Sequence, residues 1–306
     1  MTTRVPLLLA AFALAACAEA PTSIDASTLS QAVPAGARSG NDDGVVSGET
    51  LIGLTDNNEL VTFESGKSNQ TTNVVAITGL TGGETVVGID YRPSDTGANG
   101  TNDIGKLYAV TTASRLYVVN PVTGAATSPV TLSIALTGTA FGVGFNPAAD
   151  RLRIHSNSNQ NLRINVETGA TILDGALAYA AGDVNVGQDP DLTATGYTNN
   201  DANPLTGTDL FAIDAARDVL VTFGPATATT GPNSGQLLTV GALGVDADLM
   251  SGFDISNTTG TAYAVLGTSA SGKSVLYTID LRTGAATSLG LLAQTKGALL
   301  SVVVVP

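Results

Sequence analysis

Four short segments of this chain share one design and stand at near-equal intervals. Each opens on glycine and runs on as a strand: GIDYRP (88–93), GVGFNP (142–147), GYTNN (196–200) and GFDIS (252–256), spaced by about 54, 54 and 56 residues. Self-similarity at such a period belongs to solenoids, propellers and arrays, because a single unit cannot bury its apolar face alone. Small and aromatic residues alternate within the segments, which fits strands packed on both faces.

Behind the leading strands come related hairpins ending in a Thr-Gly turn. The string TGAATS closes two of them, at 123–128 and 283–288, and LRINVETG (162–169) and LFAID (210–214) occupy matching places. The two ends depart from the pattern in complementary ways. Residues 49–79 hold the later strands of a unit without its leading strand, whereas GALLSVVVVP (297–306) is a leading strand with nothing after it. Pairing the tail into the first unit gives five leading strands and removes an exposed sheet edge. The expectation is an all-β, five-bladed β-propeller of about four strands per blade, closed by the C-terminal strand in the N-terminal blade. An open β-solenoid or two β-sandwiches are the alternatives, and neither needs ends that complete each other.

Composition agrees with an all-β chain: 35 Gly, 12 Pro, no Trp and only 13% charged residues among 306, with many short Val, Ile, Thr and Tyr runs between turn residues. The formal charge of −13 leaves no basic stripe to neutralise phosphates, so nucleic acid is not a partner.

The only cysteine, Cys17, rules out an internal disulfide and a cysteine zinc site. Residues 1–16 carry Arg4 and then an apolar run too short to span a bilayer, and Leu14-Ala15-Ala16-Cys17 reads as a lipobox. Residues 1–16 are therefore expected to be a lipoprotein signal peptide, 17–47 the lipidated cysteine and a flexible tether, and 48–306 the propeller. An ordinary signal peptide cut near Ala18 or Ala20 is the alternative. Acyl chains contribute about 0.8 kcal/mol per buried methylene, so several hold firmly. The expected location is the cell envelope, and the outer membrane in a host that has one.

Chemistry concentrates in residues 142–175. Alternation puts Arg151, Arg153 and His155 on one face of a strand, and Arg163 follows on the next. Asp90, Asp174, Asp183, Asp214, Asp254 and Asp280 recur at matching places in other units. Such a set could grip an anionic ligand at the ring's centre, since arginine donates bidentately. It could equally tie blades together. His155 is the only histidine and has no readable triad or metal partner. Two oxygen-rich loops bring Asp95, Asn99, Asn102 and Asp103, and Asn200, Asp201 and Asp209. Calcium is the one ion they could take, although neither loop has EF-hand spacing and plain turns need the same residues. No cofactor is otherwise expected. Phosphate-loop, nucleophile-elbow and zincin motifs are absent.

With GFNPAADRLRIHSNSNQNLRINVETG (144–169), TGYTNND (195–201), TDLFAID (208–214), GPNSGQLLTVGALGVD (231–246) and LYTIDLRTGAATSLG (276–290) in the same order, the chain resembles the bacterial secreted, propeller-like domain of unknown function 4394 family. The resemblance implies a propeller and export, and it implies no activity. A lipid-tethered binding or scaffold module for an envelope protein, glycan or small ligand follows as the first functional expectation. An envelope hydrolase or lactonase-like enzyme with a channel-bound calcium is the second, and a self-associating surface-layer component the third.

Overall fold

The computed structural model describes residues 48–97, 100–203, 205–224, 231–268, 273–293 and 297–306. Cys17, the tether to residue 47 and Asn99 lie outside them. Strands account for nearly all regular structure, with two three-residue 3-10 turns beside them.

Five sheets form the blades. Blade 1 holds β1 (Thr50–Thr55), β2 (Glu59–Glu64) and β3 (Thr71–Ala76). Blade 2 holds β4 (Val86–Tyr91), β5 (Leu107–Thr111), β6 (Arg115–Val119) and β7 (Ala126–Thr131). Blade 3 holds β8 (Phe141–Asn146), β9 (Arg151–Ser156), β10 (Asn161–Ile164) and β11 (Thr171–Leu173). A two-residue strand, β12 (Ala178–Tyr179), lies parallel to the outer strand of blade 4, an addition that the repeat does not forecast. Blade 4 itself is β13 (Leu192–Tyr197), β14 (Leu210–Asp214), β15 (Val219–Thr222) and β16 (Gln236–Ala242). Blade 5 is β17 (Ser251–Ile255), β18 (Ala262–Thr268), β19 (Ser274–Ile279) and β20 (Ala286–Leu291). The last strand, β21 (Leu299–Val304), pairs antiparallel with β1, setting Val302 against Gly53 and Val304 against Leu51. The ring is closed as the complementary ends require. Innermost strands adjoin in the order β4, β8, β13, β17, β21 and back to β4.

The leading glycines mark the hub contacts. A Cβ on Gly88 would strike Val143 of blade 3, one on Gly142 would lie 2.9 Å from Ala194 of blade 4, and one on Gly252 would lie 2.5 Å from Val302 of blade 1. The leading strands of blades 2, 3 and 5 thus approach their successors more closely than a side chain allows. The Thr-Gly turns do the reverse job at the rim. Gly124, Gly169 and Gly284 have φ of 74°, 73° and 82°, a region that suits glycine, and each abuts the outer strand of the preceding blade. The Thr78 N–H donates to the Gly124 carbonyl, and that of Ser133 to Gly169, both at 2.9 Å. In blade 4 the Gly231–Gly235 turn takes this place, with the Gly175 N–H donating to the Asn233 carbonyl.

The core is divided among the seams rather than gathered in one mass. Buried apolar clusters join blades 1 and 2, 2 and 3, 4 and 5, and 5 and 1. The remaining cluster joins blade 4 to Leu177 and Tyr179, which lie in the connection that precedes it. Among the described residues no such cluster joins blade 3 to blade 4.

Candidate functional site

Two residues after the leading glycines of β4 and β17 stand Asp90 and Asp254, on the face that meets the next blade. Asp90 Oδ1 accepts the N–H of Tyr91 at 2.8 Å, and its Oδ2 accepts that of Phe145 in blade 3 at 2.5 Å. Asp254 repeats the arrangement, accepting Ile255 at 2.7 Å and Val304 of blade 1 at 2.8 Å. Both residues are 5% exposed. Burial pushes each carboxyl above the usual range. The charge of Asp254 adds to the rise at Asp90, and the amides of Val304 and Ile255 oppose it at Asp254. Amide bonds orient these carboxyls, and burial lets them hold a proton that a surface aspartate gives up.

Both line a cavity of about 250 Å³ at the end of the ring where the innermost strands finish. Asn200 and Asp201 reach it from blade 4, Ser256 from blade 5, and Val304 to Pro306 from blade 1. Beneath this rim Glu49 clasps blade 5 to blade 1, its carboxylate accepting the hydroxyls of Ser256 (2.5 Å), Thr259 (2.9 Å) and Tyr263 (2.8 Å).

Most of the residues singled out in the sequence lie away from this cavity. Arg153 is 1% exposed and crosses the seam between blades 3 and 4. Its Nε donates to the Tyr197 hydroxyl at 2.9 Å, Nη1 to Asp174 at 3.0 Å and Nη2 to Asn233 Oδ1 at 2.6 Å. Arg163 grips the same Asp174 bidentately at 2.6 and 2.9 Å, which raises the arginine's pKa further. Arg151 turns aside to the Asp150 carbonyl. Asp214 is buried within blade 4, accepting the Tyr179 hydroxyl and the N–H groups of Asp191 and Ala216. Asp183 holds Thr239, and Asp280 accepts the Arg282 amide inside its turn. His155 has no exposure and stacks on Phe223. Of the predicted residues, only Asp90, Asp254, Asn200 and Asp201 meet at the cavity.

The oxygen-rich loop of blade 2 surrounds an arginine that the sequence reading passed over. Arg92, 1% exposed, forks onto Asp150 of blade 3 with two bonds of 2.7 Å. Asp95 and Glu167 take Nη2 at 3.0 and 3.2 Å, and Asp103 Oδ2 lies 3.8 Å from Nη1. Asp95 also accepts the amides of Gly97 and Asp103, while Asp103 pairs with Lys106. These oxygens already serve protein donors. In the second loop, Asp201 accepts the Asn203 amide at 2.8 Å, and burial raises the Asp209 carboxyl. Among the described residues, no group of three or more His, Cys, Asp or Glu is placed to hold a metal ion. A further tie, Arg115 to Glu84 with the Tyr117 and Thr111 hydroxyls, braces blade 2. Arg92 follows its strand directly and precedes Pro93. A basic residue at a strand's end beside an acidic hairpin in the next unit was the available signal.

Residues 59–301 match the family described as a domain of unknown function (DUF4394). The chain belongs to that family. No curated protein matches it. Among solved structures, a structural-genomics protein of unknown function from Bacteroides thetaiotaomicron VPI-5482 is 15% identical, over 81% of this chain and 60% of that one, with a TM-score of 0.46. The dihydro-heme d1 dehydrogenase NirN in complex with DHE is 12% identical, over 78% and 43%, with a TM-score of 0.36. This DUF4394 chain therefore spans less than two thirds of either structure's length. At such scores neither says anything about the chemistry of the DUF4394 domain.

Proposed function

We propose that the propeller is a binding module of the cell envelope and that the cavity at the mouth of the ring is its ligand site. The observation that carries the reading is convergence. Residues at the ends of the innermost strands of blades 1, 2 and 5, with the loop after that of blade 4, meet around one concavity, with Asp90, Asp201 and Asp254 among them. Ligand sites of about 300–1,000 Å³ typically pair a few convergent polar groups with apolar walls, and this cavity suits a ligand at the small end. Arg92 at its edge is turned to Asp150, and the unpartnered Asn200 Oδ1 with the Asp201 carboxylate favours a small ligand that donates hydrogen bonds. A thermal-melting screen of the chain against small amines and guanidinium compounds, with matched carboxylates and phosphates as controls, tests this. Donor ligands are expected to raise the melting temperature in proportion to the logarithm of their concentration, and Asp201→Asn to weaken the rise. A response confined to the anions, or to no compound, defeats the reading. The hydrolase alternative has less support, because Arg153, Arg163 and Asp174 are bound to one another rather than to open space.

Lipid anchoring through Cys17 belongs to the same proposal and rests on the sequence. The single cysteine falls at the one position where a lipobox requires it. Cys17→Ser is expected to move the protein from the membrane fraction to the soluble one and to abolish acyl labelling. Unchanged fractionation of that variant would count against the anchor.

A further inference from the structure

The seam between blades 3 and 4 differs in kind from the other four. Apolar side chains from both blades fill those. Here the blade 3 side presents Arg153, His155 and Asn161, and outside the close approach of β8 to β13 the meeting is made by hydrogen bonds and one ring stack. The His155 imidazole lies 4.9 Å from Phe223 of blade 4 at an interplanar angle of 16°. It is fully buried, and neither ring nitrogen has a hydrogen-bond partner.

Among the described residues, the elements packed against the imidazole bring no free carboxylate to meet a proton's charge. Across β8 stands Gly142, which has no side chain. Across β10 stands Asn161, whose amide group is committed to Arg153, to the Gly175 carbonyl and to the Pro232 carbonyl. Two residues along β9 is Arg153, a fixed positive charge. Blade 4 offers Phe223, and its Tyr197 hydroxyl and Asn233 already accept from Arg153. The carboxylate of this network, Asp174, is shared by two arginines. Among the described residues, a protonated His155 would find a like charge at Arg153 and, as acceptor, only the Asn161 amide oxygen that Arg153 already engages. Burial first, and Arg153 second, hold the imidazole well below its usual pKa, with Asn161 pulling weakly upward.

We infer that this seam is an acid-sensitive latch: protonation of His155 parts blade 3 from blade 4 while the other four seams stay closed. A histidine whose folded pKa is depressed contributes stability that is whole above about pH 6.5, its unfolded value, and is lost as pH falls from there toward the folded value. Asp90 and Asp254 run the other way. Their raised values make the hub firmer as pH falls toward 3.8, the unfolded value. Global stability therefore mixes two opposed trends, and the latch must be read locally.

The chain has one histidine, so isotope-labelled histidine gives a single imidazole signal, and amide hydrogen exchange resolves the seams. Between pH 7.5 and 4.5, exchange corrected for its intrinsic rate is expected to quicken at least tenfold in residues 152–156 and 219–223. It is expected to stay within twofold in residues 107–110 and 262–265. The imidazole should remain neutral until the seam opens. His155→Phe keeps a stacking ring without a titrating nitrogen and should remove the acid response, with His155→Gln as the second variant. Three results overturn the latch: a ring that titrates near pH 6.5 without faster exchange, equal quickening in all blades, or a neutral variant that still responds to acid. The wild-type imidazole signal and exchange pattern decide the matter even where neither variant folds.

Discussion

A chain lacking residues 299–306 is expected to lose cooperative folding altogether. β21 supplies the hub strand of blade 1, and Leu299, Val302 and Val303 are each at most 2% exposed. Burying such a side chain is worth roughly 1.5–3 kcal/mol, so these three contribute about 5–9 kcal/mol on that scale. The whole stability of a typical domain is about 5–15 kcal/mol. The deletion also strips the pairing partner of β1 and leaves Gly252 and the Asp254 carboxyl facing a gap. An unpaired β1 edge beside exposed apolar residues is a template for aggregation. Thermal melting followed by circular dichroism, with size-exclusion chromatography, checks the outcome. A monomeric variant with an unchanged melting temperature would show that the ring does not need its last strand.

Arg92→Ala is expected to be the most damaging single substitution among the buried charges. It removes a guanidinium that is 1% exposed and leaves Asp150, Asp95 and Glu167 without their shared partner. Breaking a buried ion pair from one side costs about 3–5 kcal/mol, because the remaining charge stays buried. Here one removal strands several. Arg92 holds the Asp150 carboxyl below its usual range, outweighing the upward push of burial. That contribution is present above pH 3.8 and lost as pH falls through the folded value. The cost of Arg92→Ala should therefore shrink in strong acid, as the stranded carboxylates protonate. Arg92→Lys should recover less than half of the loss, since an ammonium cannot make the forked contact. Urea unfolding at pH 7 and pH 3 measures both effects, and a loss below about 1 kcal/mol at pH 7 would place this network among ordinary surface pairs.

The architecture was legible because its signals are local. Leading glycines let one strand's backbone lie close against its successor, so Gly88, Gly142, Gly196 and Gly252 print the ring's period directly into the chain. Matching ends did the rest, since Gly53 and Val302 could meet only in a closed circle. Alternation put Arg153 and His155 on one face and was right about the face. It could not say what that face meets, because Phe223, Tyr197 and Asn233 arrive from another blade. Arg92 and Asp150 stand 58 residues apart in sequence, and no periodicity links them. The acidic loops looked like ion sites for a related reason: a carboxylate that serves a buried arginine has the same sequence appearance as one that serves a cation. Asp90 and Asp254 read as recurring acids, but their place at the cavity depends on where the inner strands of four blades end together.

The rim and hub contacts also order events during synthesis. Blades 2 to 5 can each fasten to the blade before at a rim turn as soon as they emerge, since both partners are already made. Blade 1 is the exception, because the strand it lacks is translated after all the others. Throughout elongation it must wait as a three-stranded sheet with an open inner edge, and that edge is where a holding chaperone would have its longest opportunity to bind.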